Sequence, residues 1–170
     1  FVLGGGTNVL ISDQGFDGLV IQNKVREIVF ESENILNCSA GVSWGLLTAK
    51  AHEHELVGLE DLAHIPGTIG GALRGNAGSM GKETKDVLES VDVWREGSVE
   101  QMSITDCEFG YRESVFKKHP DLAVVSARIV LNIGDVASAR KRMLEYGEKR
   151  AQTQPLNMPC PGCMFKNPAP

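Results

Sequence analysis

Aromatic side chains are scarce in this chain, 6% of 170 residues, which leaves no stacking platform for nucleobases. An excess of basic charge is missing as well. Lys and Arg number 17 against 22 Asp and Glu, a net charge of −5, so no nucleic-acid partner is expected. No apolar run approaches the ~20 residues of a membrane span, and no membrane partner is expected either. Cysteine is sparse, and its irregular positions (38, 107, 160 and 163) fit a reducing compartment better than a disulfide scaffold. Cys160-Pro-Gly-Cys163 forms a C-x-x-C pair. A zinc site would need a second such pair or a suitably spaced His pair, and the chain has neither, so no metal is expected. A thioredoxin-like dithiol would follow a strand at the mouth of a βαβ unit, which this pair does not.

Glycine is what the chain has in quantity, and its placement is uneven. Residues 64–78, His-Ile-Pro-Gly-Thr-Ile-Gly-Gly-Ala-Leu-Arg-Gly-Asn-Ala-Gly, hold five glycines at 67, 70, 71, 75 and 78. Each costs about 1 kcal/mol inside a helix or strand, so the stretch is expected to be a shaped loop and not a regular helix. Ile65, Ile69, Ala72 and Leu73 give it apolar anchors that a flexible linker lacks. Its bare N–H groups suit an anionic ligand.

A second glycine loop lies near residue 1: Phe1-Val-Leu-Gly4-Gly5-Gly6-Thr7-Asn8-Val9. Gly4 and Gly6 fit the first two positions of a dinucleotide fingerprint, but Val9 stands where the third glycine belongs. A phosphate-binding P-loop fails too, because Glu83 follows Gly81-Lys82 in place of Ser or Thr. What remains is a strand–glycine–strand turn able to cradle a diphosphate with amides and the Thr7 and Asn8 side chains.

Along the chain, alternation predicts strands over 1–4, 8–12 and 19–22, then hairpins over 25–39 and 87–104. Ser43 is positioned to cap a helix over 43–54, and Asp135 one over 136–152 with Ala139, Met143, Leu144 and Tyr146 as its apolar side. Residues 58–63 read as a short helical turn and 122–133 as a buried strand. Many short strands with two helices between them give an α+β architecture with a domain boundary near Gly134.

Several polar groups are candidates for chemistry. His52-Glu53-His54 cannot ligate a metal jointly from one helix, because i and i+2 do not share a face, and it reads as a solvated helix end. His64 either touches a ligand or is a hydrogen-bonded loop residue. Tyr111-Arg112-Glu-Ser114 offers a guanidinium fork for a carboxylate or phosphate with two hydroxyls beside it; a solvated turn is the plain alternative. In Gly162-Cys163-Met-Phe165-Lys166-Asn167, the thiol is either a proton donor or nucleophile, or a buried structural cysteine.

Six segments in fixed order carry a resemblance across essentially the whole chain: Gly4–Asn8, Gly58–Gly71, Asn76-Ala-Gly78, Tyr111-Arg112-x-Ser114, Gln154-Pro155 and Gly162-x-x-Phe165-Lys166-Asn167-Pro168. Together they resemble the UDP-N-acetylenolpyruvoylglucosamine reductase (MurB) family. The resemblance implies an FAD-binding domain of the vanillyl-alcohol-oxidase/PCMH type over 1–133, without its first βαβ portion. Residues 134–170 would then open a substrate-binding domain, so the sequence is expected to be a catalytically incompetent fragment. NADPH and FAD are the implied cofactors, and the implied setting is the bacterial cytoplasm. The implied reaction reduces the enolpyruvyl ether of a UDP-sugar, with hydride to C3 and a proton to C2, in peptidoglycan precursor synthesis.

The resemblance also assigns roles. Gly4, Gly5, Gly6, Thr7, Asn8, Val9, Ile65, Pro66, Gly67, Thr68, Gly70, Gly71, Ala72, Asn76 and Gly78 would hold FAD. Arg112 would polarise the substrate carboxylate, and Tyr111, Lys166 and Asn167 would face the substrate. Cys163 stands where the family usually has its proton-donating serine, and the family's late catalytic glutamate has no counterpart in the sequence. An FAD-dependent oxidase or dehydrogenase of another substrate would keep the glycine loops without the Tyr-Arg and Phe-Lys-Asn-Pro motifs. A non-catalytic nucleotide-binding module would keep them without a flavin.

Overall fold

The computed structural model describes residues 1–155, 157–158, 160, 162 and 165–167. At its centre is a five-stranded sheet in the order β3-β4-β10-β8-β9, antiparallel throughout. Its strands are β3 (Ile28–Phe30), β4 (Ile35–Ser39), β8 (Leu88–Arg95), β9 (Ser98–Ser103) and β10 (Ala123–Val130). Period-2 alternation sets one face inward, because successive side chains of a strand point to opposite sides. Leu36 and Cys38 on β4, Val91 and Val93 on β8, and Ala127 and Ile129 on β10 are all fully buried. The register aligns them, with Ala127 opposite both Cys38 and Val91.

Two helices and a helical turn cover that face. Ser43 caps α1 (Trp44–Glu53) by accepting from the Leu46 N–H, and Trp44, Leu47 and Ala51 enter the core. α2 (Ile69–Arg74) contributes Ile69 and Leu73, and α3 (Val115–Lys118) contributes Phe116. Full burial of side chains of this size contributes about 1.5–3 kcal/mol each. Short pairs complete the fold: β1 (Val2–Leu3) runs parallel to β2 (Ile21–Gln22), while β5 (Leu56–Val57) pairs with β11 (Asn132–Ile133) and β6 (Gly78–Ser79) with β7 (Lys82–Glu83). Asp135 caps α4 (Val136–Thr153) by accepting from the Ala137 N–H.

Five local expectations need correction. Residues 69–74 are helical despite two glycines, because Thr68 caps the turn and Gly70 lets it press against β4's end. A Cβ at Gly70 would lie 2.9 Å from that of Ala40. Residues 8–12 form no strand: among the described residues nothing pairs with them, and Leu10 is 94% exposed. The expected strand over 122–133 breaks at Leu131 into β10 and β11, which join different sheets. On α4 only Ala139 is buried, and Leu144 is largely exposed.

The fifth correction concerns the end of α1. His52 is buried, not solvated, and lies 3.4 Å from the buried carboxylate of Glu60. Glu60 also accepts from the Gly58 N–H at 2.9 Å and from Arg142 of α4 at 3.3 Å. Burial pushes the Glu60 carboxyl up, but these donors together outweigh it and hold the group below its ordinary value. A depressed carboxylate stabilises the fold at neutral pH and loses that contribution as the pH falls through its folded value. Glu60→Ala is therefore expected to lower stability by about 3 kcal/mol at pH 7. In urea melts, the gap to the native protein should narrow below the ordinary carboxylate range. A gap independent of pH would contradict an ionised Glu60.

Candidate functional site

The two glycine loops, 60 residues apart in sequence, touch each other. A Cβ at Gly5 would lie 2.9 Å from the Gly67 Cα, and one at Gly4 would lie 2.4 Å from the Thr68 Oγ1. In the opposite direction, a Cβ at Gly67 would lie 2.7 Å from the Thr7 Oγ1, which itself donates to the Pro66 carbonyl at 3.3 Å. Backbone meets backbone here, and no side chain fits between. Among the described residues, no protein acceptor meets the N–H groups of Gly5, Gly6, Thr7, Asn8, Gly67 or Thr68. Unpaired amides of this kind on two touching loops can bind an anion. That donor set fits the diphosphate of a dinucleotide cofactor.

The remaining loop residues are placed less uniformly. Ile65 packs against the core and Ala72 is buried, so both act as anchors. Ile69 and Gly70 donate their N–H groups to Val42 and Ala40, while Gly71 donates to the capping Thr68 hydroxyl. Pro66 and Val9 are exposed beside the joined loops. His64 donates from Nε2 to the Met143 carbonyl of α4 at 2.8 Å, the hydrogen-bonded alternative of the two readings. Asp61 similarly accepts from Tyr146, whose hydroxyl is raised above its ordinary value by that carboxylate. One face of α4 thus grips the turn that enters the loop.

The far end of the same loop meets the arginine motif. Asn76 is fully buried and adopts φ 41°, and Gly78 opens β6. Gly110 and Glu113 exchange backbone hydrogen bonds at 3.1 and 3.2 Å, closing a tight turn with Tyr111 and Arg112 at its tip. Arg112 has φ 57°, a left-handed conformation that costs a non-glycine residue about 1–2 kcal/mol. Its Nη2 donates to the Gly78 carbonyl at 3.3 Å and its Nη1 to the Asn76 carbonyl at 3.5 Å. The guanidinium carbon stands 5.3 Å from the Tyr111 ring centroid. Among the described residues only part of the donor fork is used, and the rest can meet a planar anion.

Lys166 and Asn167 reach this turn from far along the chain. Lys166 Nζ donates to the Glu113 carboxylate at 2.5 Å, and the Asn167 N–H to the Tyr111 hydroxyl at 3.3 Å. Lys166, with Lys117 beyond it, holds the Glu113 carboxyl below its ordinary value. Lys117 Nζ also donates to the Arg112 carbonyl at 2.5 Å. Ser114 is buried and donates to the Arg74 carbonyl at 2.7 Å, tying α2 to α3, so it acts within the frame. Cys163, the candidate proton donor, lies outside the described residues, as does Pro168. Cys38 and Cys107 are inert by comparison, since burial pushes their thiols up to about 12 and about 11.

Sequence reasoning missed Glu83, Glu113 and Lys117, which organise the arginine turn. It also missed Glu60, which no local signal distinguishes from its neighbour Asp61. Among the described residues, no group of three or more His, Cys, Asp or Glu is arranged to hold a metal, and no helix is long and apolar enough to cross a membrane.

Comparison with known proteins bears on this geometry. Residues 1–102 match the FAD binding domain family. The UDP-N-acetylenolpyruvoylglucosamine reductase of Carboxydothermus hydrogenoformans is 41% identical over 169 residues, covering 98% of this chain and 56% of the relative. That of Caldanaerobacter subterraneus is 38% identical over 170 residues, with 99% and 56% covered. The crystal structure of UDP-N-acetylenolpyruvylglucosamine reductase (MurB) from Thermus caldophilus is similar with a TM-score of 0.83 at 31% identity. That match covers 99% of this chain and 61% of the neighbour. The chain therefore spans a little over half the length of the curated relatives it matches.

Proposed function

The chain belongs to the FAD binding domain family, and from that premise we propose that it supplies the flavin cradle and part of the substrate site of an NADPH-dependent UDP-N-acetylenolpyruvoylglucosamine reductase. The observation that carries this reading is the layout of a single glycine-rich stretch. At one end its unpaired amides at 67 and 68 lie against the Gly5–Asn8 loop, and at the other the carbonyls of Asn76 and Gly78 hold Arg112. An anion cradle and a carboxylate fork are thereby set by the same backbone. The relatives with this sequence pattern are reductases of an enolpyruvyl UDP-sugar, which supports that substrate class. We place the boundary between a flavin domain and a substrate domain near residue 134 and the reaction in the bacterial cytoplasm.

When bound, FAD supplies hydride drawn from the nicotinamide. Every other part of the chemistry falls to protein side chains. An enol ether is electron-rich and resists hydride at C3 unless charge can move from C2 into the adjacent carboxylate. Arg112 would stabilise that charge by donating two hydrogen bonds that strengthen as it develops. Tyr111, stacked against the guanidinium, restricts its swing. Lys166, tethered by Glu113, and Asn167, tethered by Tyr111, would bind substrate oxygens beside it. Cys163 would deliver the proton to C2 and regain one from solvent.

A thiol donor has a recognisable pH limit. With an unperturbed pKa of about 8.5, Cys163 donates only while protonated, so turnover should fall as pH rises through that range. Cys163→Ser is expected to keep activity and to move the alkaline limb upward; an unmoved limb would rule the thiol out as donor. The assignment itself is tested by NADPH oxidation in the full-length protein reconstituted with FAD. Oxidation that requires the enolpyruvyl UDP-sugar supports it, and sugar-independent oxidation points to a different flavoenzyme.

A further inference from the structure

The side chain of Asn76 uses its hydrogen-bonding groups inside the fold, and one of its bonds, with a second from its backbone carbonyl, leads to the Arg112 turn. Its Nδ2 donates to the Gly110 carbonyl at 3.0 Å and to Glu83 Oε2 at 2.9 Å, while its Oδ1 accepts from the Lys85 N–H at 3.1 Å. Its own backbone carbonyl accepts from Arg112 Nη1. The residue is 0% exposed, so its amide is not a contact for a ligand entering from solvent. We infer that Asn76 is a positioning residue for Arg112, fixing the Gly110–Glu113 turn against the end of the glycine loop, and not a cofactor ligand. The inference rests on the reading of Arg112 given above.

Arg112 is held at φ 57°, so the turn relaxes toward a cheaper conformation unless something fixes both its ends. The Gly110–Glu113 backbone pair closes the turn but does not say where it points. The Asn76 amide does, because Gly110 receives it 34 residues away in sequence. Asn is also a residue type that tolerates a left-handed φ, as its 41° requires. Without the amide, the Gly110 end of the turn is released and Arg112 loses its aim. A displacement of about 1 Å at a reacting group lowers rate by up to about 100-fold.

The test uses the full-length protein with FAD and separates two half-reactions: flavin reduction by NADPH, and reoxidation by the enolpyruvyl UDP-sugar. Asn76→Gly accepts the same backbone conformation while deleting the amide. It is expected to slow reoxidation about 30-fold and to leave flavin affinity and flavin reduction within about twofold. In an Arg112→Ala background the same substitution should cost nothing further, since no guanidinium remains to aim.

Asn76→Asp gives an independent readout that does not depend on the glycine variant folding. Its carboxylate can donate to neither Gly110 nor Glu83, whereas the protonated acid regains one of the two donors, so its deficit relative to the native protein should shrink as the pH falls. An unchanged reoxidation rate in Asn76→Gly, an equal cost in the Arg112→Ala background, or a loss of flavin affinity would each overturn the inference, as would a pH-independent deficit in Asn76→Asp. If Arg112→Ala itself leaves reoxidation intact, it is the functional reading of Arg112 that falls.

Discussion

Gly5→Val is expected to leave the protein folded but unable to retain FAD. Gly5 faces the Gly67 Cα, and a Cβ at 2.9 Å from a backbone atom cannot be relieved by rotating a side chain. The loops must part, and the amides of residues 5–8 then no longer lie beside those of 67 and 68. A hydrogen bond to a charged group contributes about 1.5–3 kcal/mol, so losing two of them raises the flavin Kd by more than about 100-fold. The substitution lies outside the buried core, which limits the effect on stability. Gly97→Ala is the matched control. It strains a glycine at φ 94°, but at the tip of the β8–β9 hairpin with open space around it. It should lower Tm slightly and leave flavin affinity alone. Equilibrium titration followed by flavin fluorescence measures both, and unaltered binding in Gly5→Val would contradict the two-loop cradle.

Arg112→Ala is expected to stop the second half-reaction while sparing the first. Removing a donor aimed at developing charge typically costs about 2.7–4 kcal/mol, or 100- to 1,000-fold in rate. Flavin reduction by NADPH involves no substrate carboxylate and should stay near its native rate. Arg112→Lys should recover little, because a single ammonium cannot hold two carbonyls and also present a planar fork. Stopped-flow absorbance resolves the two steps. Equal slowing of both would mean that Arg112 serves the flavin site and not the substrate.

Much of this was open to reading in the sequence wherever the signal was local. Ser43 and Asp135 stand before helical patterns and cap them as side-chain chemistry predicts. The two long hairpins follow from alternation with turn residues at 32–34 and 96–98. The glycine loops and the Tyr111-Arg112 motif stand out because few structural roles call for those residues together.

What stayed hidden depends on packing between distant segments. Intrinsic propensity counts Gly70 and Gly71 against a helix, yet the missing side chain is what lets α2 approach Ala40. Alternation over 8–12 predicts a strand, but a strand forms only where a neighbour supplies the ladder, and none does among the described residues. His52 and Glu60 are polar and lie eight residues apart, so only the fold reveals that both are buried against each other. Asn76 was legible as part of a motif, but its link to Gly110 joins residues 34 apart that share no sequence signal.

The measurement that goes most directly to the central claim is anaerobic reoxidation of the full-length protein's flavin after stoichiometric reduction by NADPH. On addition of the enolpyruvyl UDP-sugar, the oxidised flavin absorbance should return within the turnover time in the native protein, and far more slowly in Arg112→Ala. A flavin that stays reduced until oxygen is admitted would contradict the account, because the cradle would then serve a different acceptor.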